Sequence, residues 1–216
     1  MKITRILVVS MLIIIPFGYA FYVYPSLPNT IPTHFNLEGA ADAWGDKETI
    51  YLLPAIMGFT SLITYLLLSN LKSIDPKRAG KSNDSQYKKM ALYLVVFLSA
   101  LSLVITYGTA HQGIRIEQLL FPLLGLFFAG FGSFMSKVKQ NYFAGFRLPW
   151  TLDNEANWNA THKLAGKIWM IGGALQFLSG LILEGQWAFG MFITLVVFML
   201  AVPTIYSYLL FRRGMV

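Results

Sequence analysis

Residues Ile6–Tyr24 read ILVVSMLIIIPFGYAFYVY, an apolar run without a single charged side chain. A helix needs roughly 20 such residues to cross the hydrocarbon of a bilayer, so this stretch is long enough to span. Working outward from it, five more runs have the same character: Ile50–Leu71, Met90–Ala110, Gln118–Ser136, Lys167–Leu183 and Trp187–Phe211. The whole chain of 216 residues is 56% hydrophobic and 12% charged, with a mean hydropathy of +0.56. Ordinary soluble domains are about 25% charged, and one soluble core could not hide this much apolar surface. The expected fold class is an all-α integral membrane protein with six transmembrane helices. No Cys is present, which excludes a disulfide framework, a thiolate metal site and a Cys nucleophile.

Charge sets the orientation. There are 17 Lys and Arg against 10 Asp and Glu, a net charge of +7. Only Lys47 and Arg115 fall in the odd-numbered connections. The others lie at the N-terminal flank (Lys2, Arg5), in the second connection (Lys72, Lys77, Arg78, Lys81, Lys88, Lys89), in the fourth (Lys137, Lys139, Arg147, Lys163, with Lys167 just beyond) or at the end (Arg212, Arg213). Under the positive-inside rule both termini are cytoplasmic, Ser26–Thr49 is outside and Asn141–Lys163 is inside. The basic excess therefore reads as topology and as contact with anionic lipid rather than as a nucleic-acid surface. An alternative reading of the start is a cleaved leader, since a basic flank and an apolar run lead to GYA at Ala20. The run continues through Phe21, Tyr22 and Val23, which suits an uncleaved anchor better.

Three regions follow: residues 1–71, two spans with an ordered outer loop; 72–116, a basic linker and the third span; and 117–216, spans four to six. In the outer loop, Pro25, Pro28 and Pro32 forbid a helix and favour extended or turn backbone. Gly39 and Gly45 are turn positions. His34, Glu38 and Asp42 recur every four residues, and His111 and Glu117 lie on the same side. Imidazole and carboxylate groups suit a divalent cation, with His34, Asp42 and His111 as the metal candidates. Pro32 and Gly39 argue against the continuous helix that would align them. No cofactor is expected. In the fourth span, Gly125, Ala129 and Ser133 form a small-residue face for close helix approach, and Gln176 in the fifth is expected to bond across helices. No Asp, Glu, Lys, Arg or His lies deep in a span, which weakens an ion-coupled transporter.

Between the fourth and fifth runs lies NYFAGFRLPWTLDNEANWNATHK, Asn141–Lys163, polar and aromatic at once. Pro149 stops a helix leaving the fourth span. Thr151, Asp153 and Asn154 are N-cap candidates for a short interfacial helix before span five. That helix would carry Glu155, Trp158 and His162 on one cytoplasm-facing side. Trp150, Leu152, Trp158 and Leu164 would anchor it at the interface, with Asn157, Asn159 and Lys163 in water and a turn at Gly166. Arg147 is expected to bond backbone carbonyls or Glu155 as a fork.

The same stretch resembles the signature of the SdpI immunity-protein family at Asn141, Gly145, Arg147, Pro149, Trp150, Thr151, Leu152, Glu155, Trp158, Thr161, His162, Ala165 and Gly166. The outer loop is similar, at Leu27, Pro28, Ile31, Pro32, His34, Gly39, Asp42, Trp44, Gly45 and Lys47, to an uncharacterised domain often found ahead of the SdpI domain. The resemblance implies a multi-pass protein of the bacterial cytoplasmic membrane, embedded in lipid. It also implies a secreted toxic peptide as partner outside, with His34, Glu38, Asp42, Trp44 and Lys47 as binding candidates, and a cytoplasmic repressor as partner inside.

Three function classes remain in view. The first is a non-enzymatic immunity protein and receptor. The second is a transporter or lipid-handling protein, which needs a polar cavity at membrane depth, with Ser99, Ser102, Thr106 and Gln176 as its material. The third is a membrane enzyme using His34 with Glu38 and Asp42, or Glu155 with His162, as acid–base groups. No phosphate loop, nucleophile motif or HExxH supports that third class.

Overall fold

A computed structural model describes residues 2–36, 40–74, 84–111 and 113–214. Glu38 and the basic residues Lys77, Arg78 and Lys81 lie outside the described residues. Among the described residues the regular structure is helical apart from one hairpin. Helix α1 (Lys2–Val23) leads through a 3-10 turn into strands β1 (Thr30–Phe35) and β2 (Ala41–Asp46). Then come α2 (Leu52–Ser69), the short α3 (Leu71–Ile74), α4 (Asp84–Ala110), α5 (Glu117–Met135), the short α6 (Pro149–Asp153), α7 (Glu155–Ile182) and α8 (Gly185–Arg212). Six of these segments are long and apolar enough to cross a membrane. Their outward faces carry exposed Ile14, Phe59, Leu126, Ile182 and Val197, as a lipid-facing surface requires. Helices satisfy every internal backbone group, which a span must do in hydrocarbon.

The spans pack as two groups, α1, α2 and α4 on one side and α5, α7 and α8 on the other, joined along α4 and α5. The tightest seam is α5 on α7, which run antiparallel with backbones in near contact. A Cβ on Gly125 would lie 2.6 Å from Phe177 Cα, one on Gly132 2.8 Å from the Gly166 carbonyl oxygen, and one on Gly180 2.8 Å from Pro122 N. Small residues permit this approach, which gains dispersion and lipid-excluding contact where no hydrophobic effect separates helix from lipid. The Ser133 hydroxyl turns back to its own helix, donating to the Gly130 carbonyl at 2.6 Å. Between α4 and α5, Tyr93 donates to the Leu126 or Phe127 carbonyl at 2.9 Å, and Phe97 stacks on Phe127 at 4.0 Å.

Two sequence expectations are corrected here. Gly166 is no turn: α7 runs unbroken through it, and its missing side chain serves the contact with Gly132. The interfacial helix before span five is α6 alone, separated from α7 by the extended Asn154.

Candidate functional site

The hairpin caps one end of the α1, α2 and α4 group. Its strands pair antiparallel, Thr30 with Asp46, Ile31 with Gly45 and Pro32 with Trp44, and an irregularity follows before His34 pairs with Ala43. Asn36 closes the loop: its backbone N–H donates to the Ala40 carbonyl at 2.8 Å, and its Oδ1 accepts from the Ala40 N–H at 2.9 Å. The hairpin is seated by a core of Ala20, Val23, Leu27, Ile31 and Ile50, edged by Tyr19, Tyr24 and Tyr51. Tyr24 donates to Glu48 at 2.9 Å, and Lys47 Nζ sits 4.8 Å above the Tyr24 ring. Above this seat, His34 Nδ1 meets Asp42 Oδ1 at 2.5 Å, and Trp44 stands half exposed.

His34 and Asp42 are thus brought together across the strands. His111 is not with them; it stacks on Tyr107 at 4.4 Å with its Nδ1 on the Tyr107 carbonyl. Among the described residues no group of three His, Asp or Glu is placed to hold a metal ion. At the same end of the bundle Arg115 pairs with Glu184, and this guanidinium holds the Glu184 carboxyl below its usual range.

The opposite end is built by the elbow between α5 and α7. Asn141, fully buried, is its hub. Its Oδ1 accepts from the backbone N–H of Phe143 and Ala144 at 2.7 and 2.8 Å; its Nδ2 donates to the carbonyls of Lys139 and Ala144 at 2.8 and 3.2 Å. It also reaches the Tyr87 hydroxyl of α4 at 3.3 Å, and Tyr87 donates to the Lys139 carbonyl. A buried amide is tolerated because each of its atoms is paired. Gly145 follows with φ +113, a conformation that side chains disfavour, and a Cβ there would collide with the His162 ring. That close approach lets Phe146 N–H donate to His162 Nε2 at 3.0 Å, while His162 Nδ1 sits 2.8 Å from the Trp158 carbonyl. The ring is therefore the Nδ1–H tautomer, donating to Trp158 and accepting from Phe146.

Thr151 Oγ1 accepts from Leu148 N–H at 2.9 Å and donates to the Phe146 carbonyl at 2.6 Å, tying the start of α6. Gln140 Nε2 satisfies the Thr151 and Leu152 carbonyls at the other end of that short helix. Asn154 caps α7, accepting from Ala156 and Asn157 N–H at 2.8 and 3.0 Å. Trp158 donates its indole N–H to the Val138 carbonyl at 2.8 Å and stacks on His162 at 4.0 Å. Trp150 and Asn157 reach across to α8, bonding the Ser207 hydroxyl at 3.0 Å and the Ser207 carbonyl at 2.9 Å.

Several expectations change with this geometry. Trp158, His162 and Asn157 do not face water or the interface; they are almost wholly buried, because their polar atoms hold the elbow backbone and α8. Glu155 is exposed and does not meet His162, whose two nitrogens are both taken by backbone groups, so that pair offers no acid–base chemistry. Of the two partners expected for Arg147, the structure shows the backbone one: Arg147 donates to the Tyr142 carbonyl at 2.8 Å. The exposed face of the elbow includes Tyr142, Phe143, Arg147, Pro149 and Glu155, with Trp150 half-buried beside them. Tyr87 and Ser207 escaped the sequence reading, since their partners lie 54 and 50 residues away. Gln140, next to the motif, was within reach of it.

Helix α4 links the two ends. Its buried face carries Ser99, Ser102, Thr106 and Thr109, and Tyr87 near its start touches the elbow. Ser99 donates to the Leu12 carbonyl at 2.6 Å, while the Ser102 and Thr106 hydroxyls are buried without a hydrogen-bond partner among the described residues. Gln176 on α7 is likewise buried and does not make the cross-helix bond expected of it. Between β1, the start of α2 and the end of α4 is a cavity of about 230 Å³.

Comparison with known proteins places both loops. Residues 137–207 match the model of the SdpI/YfhL protein family, and residues 11–58 match a domain of unknown function, DUF1648. The chain is 26% identical over 211 residues to the immunity protein SdpI of Bacillus subtilis, covering 95% of this chain and 96% of that one. It is 35% identical over 130 residues to an uncharacterized protein of Archaeoglobus fulgidus, covering 50% of this chain and 70% of the relative. No solved structure gives a significant match. With the elbow inside the first match and the hairpin inside the second, the chain is a multi-pass membrane protein that carries an SdpI/YfhL family domain behind a DUF1648 domain.

Proposed function

We propose that the protein is an immunity receptor of a bacterial cytoplasmic membrane. The hairpin captures a secreted toxic peptide outside, and the elbow presents the result to a cytoplasmic repressor inside. The observation that carries this reading is the likeness to an immunity protein over nearly the full length of both chains, hairpin and elbow included. The distribution of Lys and Arg supports the orientation, because all but Lys47 and Arg115 lie at the elbow end or in the connections on its side. The hairpin offers an acidic and aromatic surface in Asp42 and Trp44, and the elbow an exposed Arg147, Pro149 and Glu155. A ligand moves the elbow only if it binds two arrangements of the bundle unequally. Helix α4 is the element suited to carry that difference, since it lies under the hairpin at Thr109 and bonds the elbow at Tyr87.

A second reading, lipid handling, is favoured by Ser102, Thr106 and Gln176, which are buried without a hydrogen-bond partner among the described residues. The test is growth of a toxin-sensitive host expressing the chain. Protection is expected, and Asp42→Asn with Trp44→Ala should weaken it. No protection at confirmed membrane abundance refutes the immunity role and leaves lipid handling as the better account.

A further inference from the structure

At the elbow end, a second cavity of about 130 Å³ opens between the start of α4 and the end of α5. Lys89 and Gln86 come to it from α4, Ser133 and Phe134 from α5, and Lys137 from just beyond α5. Two exposed ammonium groups from separate helices thus share one small concavity. Among the described residues no acidic side chain lines it, and neither lysine has a salt-bridge or hydrogen-bond partner. Two like charges in one place repel. An anion between them removes that cost and accepts a charge-assisted hydrogen bond from each. The volume is just under the roughly 150 Å³ of an engineered cavity that admits benzene, which is room for a phosphate group.

The surroundings of the cavity decide where that phosphate comes from. Half-buried Phe134 forms one wall. From it a run of half-buried rings follows the joint between α4 and α5 along the span. Tyr93 lies 5.4 Å from Phe134 and stacks at 6.1 Å on Phe127, which in turn stacks on Phe97 at 4.0 Å. Val96 and Leu126, on the same two helices, are exposed as lipid-facing residues are. An apolar chain lying along these rings has its charged head at the two lysines. A soluble anion or an acidic protein segment would use the lysines alone. Basic pockets between membrane helices on the cytoplasmic side suit anionic lipid headgroups.

We propose that this cavity binds the phosphate of an anionic phospholipid, with an acyl chain along the joint between α4 and α5. Lys89 and Lys137 hold the phosphate from its two sides. The two groups of spans meet along these helices, so the lipid clamps one group to the other. The proposal is independent of any peptide at the hairpin.

Native mass spectrometry of the full chain in mild detergent reads the binding, with dioleoyl phosphatidylglycerol and dioleoyl phosphatidylcholine added in turn. A retained phosphatidylglycerol adduct is expected, with a higher midpoint on graded heating. Phosphatidylcholine, whose own ammonium balances its phosphate, should give neither. Lys89→Gln with Lys137→Gln should weaken the adduct about 30-fold, at about five-fold per lysine. Lys89→Arg with Lys137→Arg should keep it. Lys163→Gln with Lys167→Gln removes the same charge from exposed positions on α7 outside the cavity, and should leave the adduct unchanged. Equal weakening by the two Gln pairs overturns the site and leaves a diffuse basic surface. Equal retention of the two lipids overturns the requirement for an anion. Inorganic phosphate separates the sources: if it displaces the adduct and raises the midpoint by itself, the ligand is a soluble anion and the lipid assignment falls. Absence of a phosphatidylglycerol adduct on wild type overturns the proposal and leaves the lysines to an acidic protein partner.

Discussion

Replacing Gly173 by Ala adds one methyl group where α5 and α7 run backbone to backbone. The new Cβ would lie 2.7 Å from Ala129 Cα and 2.7 Å from the Gly125 carbonyl oxygen. Non-bonded carbon atoms settle at about 3.5–4.0 Å, so the helices must part by roughly 1 Å. Neither obstacle is the tip of a flexible side chain, so nothing can swing aside. A gap of that size forfeits up to about half of each dispersion well along the seam, and along α5 the seam extends from Pro122 to Ser136. Overpacking costs about 1–3 kcal/mol in general. The backbone contact puts this case near the top, about 3 kcal/mol, or a loss of roughly 100-fold in the folded ratio. Gly190→Ala is the control, since nothing lies within 4 Å of its Cβ and it sits inside α8. Monodisperse protein remaining after graded heating in mild detergent reads the difference. Gly173→Ala should lose its folded peak far earlier than Gly190→Ala, which should match or exceed wild type. Equal midpoints would refute the close seam.

Asn141→Leu leaves two backbone N–H groups and the Ala144 carbonyl without their partner, the Lys139 carbonyl keeping Tyr87, and should cost about 3 kcal/mol or more at about 1–3 kcal/mol per orphaned group; the same heating series measures it, and a wild-type midpoint would contradict the hub role. Arg115 holds the Glu184 carboxyl below its ordinary range, so their pairing stabilises above that range and is lost as pH falls through the lowered value. The midpoint difference between wild type and Arg115→Ala should therefore be small at neutral pH and vanish as the Glu184 carboxyl is protonated in acid, and a difference that does not fall with pH refutes the pair. In this Cys-free chain, Asn36→Cys and Asn154→Cys should react oppositely with an impermeant thiol reagent on intact cells; labelling of the latter from outside would invert the topology.

The six spans were legible because length and apolarity alone define a crossing helix, as Ile6–Tyr24 shows. The close approach of span four to span five was legible in Gly125 and Ala129, since small residues at helical spacing have few other uses. The hairpin was half legible. Its prolines excluded helix, but Pro32, Gly45 and two Ala gave no alternating pattern from which strand pairing could be read. The elbow motif was visible as a motif while its role was not. Trp158 and His162 look like an interfacial pair by composition, and only the fold shows that Val138 and Phe146 bring backbone groups to them. Asn157 was placed in water because it is polar, yet its partners on α8 lie 50 residues away along the chain. Burial of a polar side chain depends on such distant partners, which local sequence does not reveal.

Coupling between the two ends is the centre of this account, and amide hydrogen exchange on the purified protein addresses it directly. The peptide against which the chain protects a sensitive host is added to the protein in nanodiscs, and exchange is followed at residues 30–46 and 141–163. The account predicts slowed exchange across β1 and β2 together with altered exchange at Ala144 and Phe146, whose N–H groups are held by Asn141 and His162. It further predicts that Trp44→Ala diminishes both changes together. Unchanged hairpin exchange at saturating peptide would contradict capture at this end, and a hairpin response with a silent elbow would contradict the coupling through α4.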